Sequence, residues 1–476
     1  MENKFRILFV GRSIFHFSYY ESLIKALCER GHIVEALFDE QWSKSQPHES
    51  LQSFERLGYK CFTRDWSKRR TGLTRSLLLG IRELRSYASY LQRPEQSDFY
   101  LNRWASYLPS NIRSFVAKPW AKSILASRVM GKLFPLFESM FPVETEVVKD
   151  IRTRNPDLII VSPGNMRFDD EIEYLKAARA MGIPSAILVL SWDNLTTKGL
   201  FHVQPNLLLC WNQAHAVEAA EIHKMPADRV VQIGSTFFDK WFQGDQLKLE
   251  RASFCMRVGI DSTRPFVLYL GSSSNIAVDE SWLVEDVWRA LRGHPDPKVS
   301  SAQLLVRPHP ANAKNYLRLD GLEGLAVWPK TGTLPESDEA QLDFVNSALH
   351  AVASMGINTS GMIDTIILGR PCIALVVDQY AKTQNEAVHF GHLYRSGAMD
   401  IAKGSAACVH AMASLLSGID TKSAERAAFV KAFVRPWGLQ HAAGDLGAMA
   451  LERLGEHKKW DLSTNSEFEL SIRKLS

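Results

Sequence analysis

A chain of 476 residues is long enough for two domains of ordinary size plus an insertion. Its 46% hydrophobic and 23% charged residues allow large cores, and a net charge of +4 is too small for this length to argue for nucleic acid. Six scattered cysteines without a CxxC pair exclude a disulfide framework and fit reduced thiols. The start, Met1 to Arg6, enters a strand without a secretory signal, and no apolar run has membrane-spanning length. The expectation is a cytoplasmic protein, with peripheral contact at the inner face of the cell membrane left open.

Ile7 to Val10 reads as a short buried strand, followed by the loop Gly11-Arg12-Ser13. A helix over Ser18 to Arg30 and a strand over Ile33 to Phe38 complete the opening of a doubly wound sheet. The loop lacks the G-x-G-x-x-G spacing of a tight dinucleotide turn. His16 stands between the first strand and its helix, at the sheet edge where such folds bind ligands, which makes it a candidate general base. Packing among Phe15, Phe17 and Tyr19 would give it a structural role instead.

Residues 62–141 break the α/β rhythm. Between Arg64 and Lys132 there are 14 Lys or Arg against four acids, a net of +10, with Trp66, Tyr87, Tyr90, Tyr100, Trp104 and Trp120 interleaved. Basic residues among interfacial aromatics suit an anionic membrane surface or a phosphorylated lipid acceptor. A solvated helical insertion is the plainer reading, and no nucleic-acid motif is present.

The rhythm returns with an apolar run to Ser162, a helix from about Asp169 to Met181 and a strand over Ser185 to Leu190. The polar loop Ser191 to Gly199 follows. There Asp193 is a second candidate base, and Asn194 and Lys198 are candidate acceptor contacts; an Asx-turn is the alternative. Further strands are expected at 207–211 and 229–235, and the polar stretch Gln243 to Glu250 suits a linker.

A second α/β unit begins at Pro265 to Leu270 and ends its first strand in Gly271-Ser272-Ser273-Ser274-Asn275. A helix over Glu280 to Arg292 leads to the strand Gln303 to Val306 and the turn Arg307-Pro308-His309-Pro310, in which two prolines fix φ and Arg307 and His309 can meet a diphosphate as hydrogen-bond donors. Leu325 to Trp328 is the next strand. Then come an expected strand at Leu349 to Ser354, a small loop to Gly361, a helix ending at Gly369-Arg370-Pro371 and a strand at Cys372 to Leu375. Thr359 or Ser360 is expected to cap that helix, and Gly361 to let a phosphate approach free N–H groups. Carboxylate and amide side chains at Asp378, Gln379 and Thr383 to Glu386 suit sugar or ribose hydroxyls. Helices are expected at about 405–416, 422–433 and 440–455, with a loosely ordered tail to Ser476. There is no HExxH, clustered Cys/His pattern, G-x-S-x-G elbow or P-loop, so metal, hydrolase and ATPase chemistry lack their usual parts.

Two doubly wound domains, a linker near the middle and a closing C-terminal helix resemble the GT-B fold of nucleotide-sugar glycosyltransferases. The ordered trio Arg307-Pro308-His309-Pro310, Thr359-Ser360-Gly361-Met362-Ile363-Asp364 and Gly369-Arg370-Pro371 is similar to motifs of CDP-glycerol glycerophosphotransferases and capsule polysaccharide transferases. The resemblance implies an acceptor domain at 1–245 carrying the insertion 62–141, a donor domain at 246–435 and a closing helix and tail at 436–476, with a cleft between the domains. It implies that His309 and Ser360 contact the donor diphosphate, supported by Arg307 and Asp364, and that Asp378 and Gln379 bind donor sugar hydroxyls. Ser272, Ser273, Thr359 and Gly361 complete the expected donor set. The implied activity is metal-independent and cofactor-free transfer of a sugar from a nucleotide donor to a glycan or lipid-linked acceptor in cell-surface polysaccharide synthesis. Glycerophosphate transfer, UDP-sugar 2-epimerisation and non-catalytic nucleotide binding are the alternatives.

Overall fold

The computed structural model describes residues 4–44, 48–93, 97–384 and 386–475. The chain forms two compact units, Met1–Phe237 with Ala432–Ser476, and Phe238–Lys431. The changeovers fall at 237/238 and 431/432, where the sequence suggests 245/246 and 435/436.

The first unit is built on a seven-stranded parallel sheet: β1 (Arg6–Gly11), β2 (Ile33–Phe38), β3 (Phe62–Trp66), β4 (Leu158–Ser162), β5 (Ser185–Leu188), β6 (Leu207–Cys210) and β7 (Val230–Gln232), in the order β3-β2-β1-β4-β5-β6-β7. The second has six parallel strands: β8 (Phe266–Leu270), β9 (Gln303–Arg307), β10 (Leu325–Val327), β11 (Ser354–Gly356), β12 (Cys372–Val376) and β13 (Asp400–Lys403), in the order β10-β9-β8-β11-β12-β13. Central strands such as β4 and β8 are buried along their whole length, as their unbroken apolar runs require. In both sheets the first strand lies beside the fourth, and the connections leave this point in opposite directions. Ligands of open α/β sheets bind at the carboxyl ends of the strands around this reversal.

Three expectations are corrected and one strand is added. Residues 62–66 are the edge strand β3 rather than the start of the insertion. Leu349 and His350 end the helix Asp338–His350, and the strand expected there is the shorter β11. The edge strand β13 has no counterpart in the sequence reading. The tail is ordered as the helix Leu462–Leu475, which buries Phe468 and Ile472 in the first unit's core together with Trp460.

The returning helix Ala443–His457 packs on the helix Phe17–Glu29, and small residues make this possible. A Cβ on Gly444 would stand 2.5 Å from the Ser22 carbonyl oxygen, closer than two backbones allow. Glu452 on the returning helix accepts hydrogen bonds from Arg30 (3.1 Å) and His32 (2.9 Å).

The insertion is helical, over Gly72–Tyr90, Asp98–Ser106, Ser110–Val116, Pro119–Leu125 and Arg128–Met140. Several of its cations turn inward. Arg82 is buried and pairs with Glu138 (2.7 Å) and Glu173 (2.8 Å); Arg70 pairs with the same Glu173 (2.8 Å). Arg75 meets Asp170. These pairs tie the insertion to the acidic stretch that follows β4. No helix among the described residues is long and apolar enough to cross a membrane.

Candidate functional site

Each unit gathers polar loops at its own strand reversal. In the first unit these are the loops after β1 and β4. Arg12 follows β1 directly, and its N–H donates to the Ser162 carbonyl at the end of β4 (3.2 Å). Its guanidinium lies over the Trp42 ring at 4.2 Å, and its Nη1 is buried without a hydrogen-bond partner. Asp169, Asp39, Asp170 and Glu83 surround it electrostatically. Neither oxygen of Asp169 bonds to another side chain, and burial pushes this carboxyl up to about 7 against the pull of Arg12. Glu83 accepts from the Phe168 N–H (2.9 Å) with one oxygen and leaves the other buried without a partner; burial pushes it up to about 7 as well. Unpaired buried polar groups are costly and cluster at working sites. Phe168 itself has a φ of 55°, a left-handed conformation rare for an aromatic residue.

His16 lies in the same loop, half-buried and edge-on to Phe15 and Tyr19, with Nδ1 lacking a partner. Burial first, then the positive charges of Arg12 and Lys198, push its imidazole down to about 3. His16 is therefore a neutral imidazole at neutral pH. Asp193 accepts from the Ser191 hydroxyl (2.6 Å) and the Thr197 hydroxyl (2.9 Å) and pairs with Lys198 (3.1 Å). The acceptor contact expected of Asn194 is corrected. That residue is buried, its Oδ1 accepts from the Leu190 N–H (2.8 Å), and its amide is locked to Asn165.

In the second unit the loops after β8, β9, β11 and β12 carry the expected donor residues. The β8 loop is fixed by the buried Glu280, which accepts from the Ser272 N–H and from the Tyr269 hydroxyl (2.8 Å). The Ser272 side chain is itself buried against Glu280 (3.4 Å), so Ser273 is the more accessible of the two serines. A Cβ on Gly271 would stand 3.0 Å from the His309 nitrogen, so glycine lets the β8 and β9 loops touch. His309 accepts the Ala311 N–H at Nδ1 (3.2 Å), which places the proton of the neutral ring on Nε2 and leaves that N–H as a donor. Burial lowers its pKa.

Arg307 is turned inward. It is buried, donates to the Ser347 hydroxyl (3.2 Å), lies 5.5 Å from the Phe344 ring centroid and leaves Nη2 without a partner; burial pushes it down to about 10, so it stays charged at neutral pH. Asp364 is also buried and accepts from the Trp241 indole N–H (2.6 Å); burial pushes it up to about 7. Both are held in the interior of the second unit by these contacts.

The helix after β11 runs over Gly361–Ile367. Ser360 occupies its cap position without a capping side-chain bond, while the Thr359 hydroxyl accepts from the Gly361 N–H (3.3 Å). Met362 N–H bonds to the Thr359 carbonyl, and those of Ile363 and Asp364 to the Ser360 carbonyl. The expectation of free N–H groups here is therefore corrected: a tight first turn uses them internally. The half-exposed Thr359 and Ser360 remain as the polar groups of this loop. Asp378 and Gln379 are exposed beyond the end of β12. Thr383 and Gln384, by contrast, are buried, with Gln384 donating to the carbonyls of Ile357 and Leu375 (both 2.8 Å); Asn385 lies outside the described residues.

The sequence reading missed Arg12, Glu83, Asp169 and Glu280. Asp169, Asp170, Glu171 and Glu173 after β4 are opposite in sign to the excess cations between Arg64 and Arg85, a signal for ion pairing between the two stretches but not for which charged residues are buried without a partner. Among the described residues no group of His, Cys, Asp and Glu has the arrangement of a metal site.

Two parallel sheets with these strand orders define a GT-B-type fold of two Rossmann-like units. The UDP-GlcNAc 2-epimerase of Neisseria meningitidis, solved with UDP-GlcNAc, superposes with a TM-score of 0.53 at 11% identity, covering 94% of this chain and 100% of its own. A putative UDP-N-acetylglucosamine 2-epimerase of Listeria monocytogenes gives a TM-score of 0.56 at 11% identity, covering 96% and 97%. The wall teichoic acid polymerase TagF gives 0.47 at 10% identity over 95% and 88%, a likeness too low to weigh. No protein-family model matches the chain, and no curated protein matches it. The likeness is one of fold.

Proposed function

We propose that the protein is a GT-B transferase that takes a sugar from a nucleotide donor, without a metal or cofactor, and passes it to a glycan or lipid-linked acceptor in cell-surface polysaccharide synthesis. The observation that carries this reading is the gathering of His309, Ser273, Thr359, Ser360, Asp378 and Gln379 on four adjacent loops at the carboxyl edge of the second sheet, around its strand reversal. His309 Nε2–H and the serine and threonine hydroxyls meet the donor diphosphate, and Asp378 and Gln379 its sugar hydroxyls. Arg307, charged and buried beneath the loops, adds a fixed positive potential. These groups stabilise the charge that grows on the diphosphate as its bond to the sugar breaks.

The acceptor is bound by the first unit. Its hydroxyl oxygen attacks the anomeric carbon, and its proton passes to a base. His16 is neutral and its Nδ1 is unpartnered, which leaves that nitrogen open to accept the proton. Asp193 holds Lys198 beside it. Peripheral association with the inner face of the cell membrane belongs to the same reading.

The assay incubates the purified chain with UDP- and CDP-linked sugars and CDP-glycerol, with and without envelope glycan acceptors, and identifies every product. Acceptor-dependent release of a nucleoside diphosphate supports sugar transfer. Release of CMP from CDP-glycerol replaces it with glycerophosphate transfer, a C2 epimer formed without nucleotide release replaces it with epimerisation, and no turnover of any donor overturns the enzyme reading.

A further inference from the structure

The cations of the insertion divide into two sets. Arg70, Arg75 and Arg82 are neutralised by Glu173, Asp170 and Glu138. Between Phe99 and Phe137, however, the sequence has six Lys or Arg and no acid. Lys118, Arg128 and Lys132 are exposed and Lys122 half-exposed, and none of the four has an ion pair among the described residues.

The helices that carry them also present apolar side chains to solvent. Trp120 and Ile124, at 53% and 52% exposed, stand one turn apart on Pro119–Leu125. Phe115, from the preceding helix, packs edge-on against Trp120 with ring centroids 5.1 Å apart, and both rings stay exposed. On Arg128–Met140, Val129, Leu136 and Met140 form one stripe at helical spacing, with Lys132 in register, and all are exposed. Large apolar groups this exposed, interleaved with unpaired cations and free of carboxylates, are the composition of an interfacial face.

We propose that the face formed by the helices Ser110–Val116, Pro119–Leu125 and Arg128–Met140 docks on an anionic lipid bilayer. Trp120, Ile124, Val129, Leu136 and Met140 enter the headgroup–acyl boundary, while Lys118, Lys122, Arg128 and Lys132 meet lipid phosphates. Charge complementarity selects the occupant: four unpaired cations with no intervening acid fit a negative surface and disfavour a second copy of the same face, whose charge is identical. This deepens the proposed function, on which it rests only for the identity of the lipid-linked acceptor; binding to lipid is read without turnover.

The test floats the full chain with vesicles of phosphatidylcholine alone and of phosphatidylcholine with phosphatidylglycerol. Binding is expected to the anionic vesicles, to weaken as salt is raised, and to be at most slight to the neutral ones. Each cation removed is expected to weaken partitioning about fivefold, so Lys118→Glu with Lys122→Glu abolishes it at moderate salt. Trp120→Ser weakens it with an unchanged melting temperature, because the side chain is exposed. Equal binding to both vesicle types, binding to neither, or full binding by the charge-reversed variant overturns the proposal. So does sedimentation showing a dimer that Trp120→Ser dissolves. Vesicle binding without turnover would count against the transferase and leave the docking face standing.

Discussion

The two strand reversals share a topology and differ in chemistry. Around β1 and β4 the loops bury an arginine, two carboxyls raised to about 7 and a neutral histidine, several of them without partners. Around β8 and β11 the exposed and half-exposed groups are hydroxyls, an imidazole N–H and an acid–amide pair, while Arg307, with Nη2 unpartnered, and Asp364, also raised to about 7 but bonded to Trp241, are buried. The first gathers buried charged groups in its loops, whereas the second sets hydroxyls, an imidazole N–H and an acid–amide pair at its loop surface. One topology thus carries two loop chemistries, in keeping with the proposed division between acceptor activation and diphosphate binding, and the distinction lies in which residues the loops bury.

The comparison breaks most visibly where buried charge holds the first unit together. Arg82→Ala leaves Glu138 and Glu173 buried without their shared partner and is expected to lower stability by about 3–5 kcal/mol, read from denaturant unfolding. Stability unchanged within error would mean that the network is replaceable by water.

Asp169→Asn sharpens the contrast through pH. The folded carboxyl is raised to about 7, above its unfolded value, so the folded state holds more protons in the window between them. Stability of the natural chain therefore falls as pH rises through that window, by linkage. The asparagine variant loses this dependence: relative to the natural chain it gains melting temperature at pH above about 7 and gains least below about 4. Parallel melting curves across the whole range would show that Asp169 does not titrate there.

The smallest effect is expected in the frame of the second unit. Trp241→Phe removes the indole hydrogen bond to Asp364 and leaves that buried carboxyl short of a donor, for a loss of about 1–3 kcal/mol in unfolding free energy. Nucleotide binding is expected to weaken little, since the loops themselves are untouched.

Much of the fold was legible because parallel strands buried on both faces leave continuous apolar runs, as in Leu158 to Ser162 and Phe266 to Leu270. The edge strands β3 and β13 were not, because most of their residues are exposed or half-exposed and their sequences, Phe-Thr-Arg-Asp-Trp and Asp-Ile-Ala-Lys, carry no such run. Leu349 and His350 misled for a related reason: the apolar end of a buried helix ran into a three-residue strand. At the site, the loops after β8, β9, β11 and β12 could be placed from their glycines, serines and prolines. Arg12, Glu83 and Asp169 could not, since a charged residue gives no local sign that tertiary contacts will bury it. His16 was placed correctly in its loop, but its protonation follows from Arg12, Lys198 and burial, all set by the fold. Asn194 looked like a polar loop residue and is instead half of a buried amide pair with Asn165.

The measurement closest to the central claim is a thermal-shift titration of the natural chain and His309→Ala with UDP, CDP and GDP in the absence of magnesium. A ligand that binds only the folded state raises the melting temperature. The account predicts a selective rise with one nucleoside diphosphate in the natural chain, and a much smaller rise in His309→Ala, measured from that variant's own ligand-free melting temperature, which falls slightly with the lost bond to the Ala311 N–H. No rise with any nucleotide at millimolar concentration, or an equal rise in the variant, would contradict a diphosphate site built on His309.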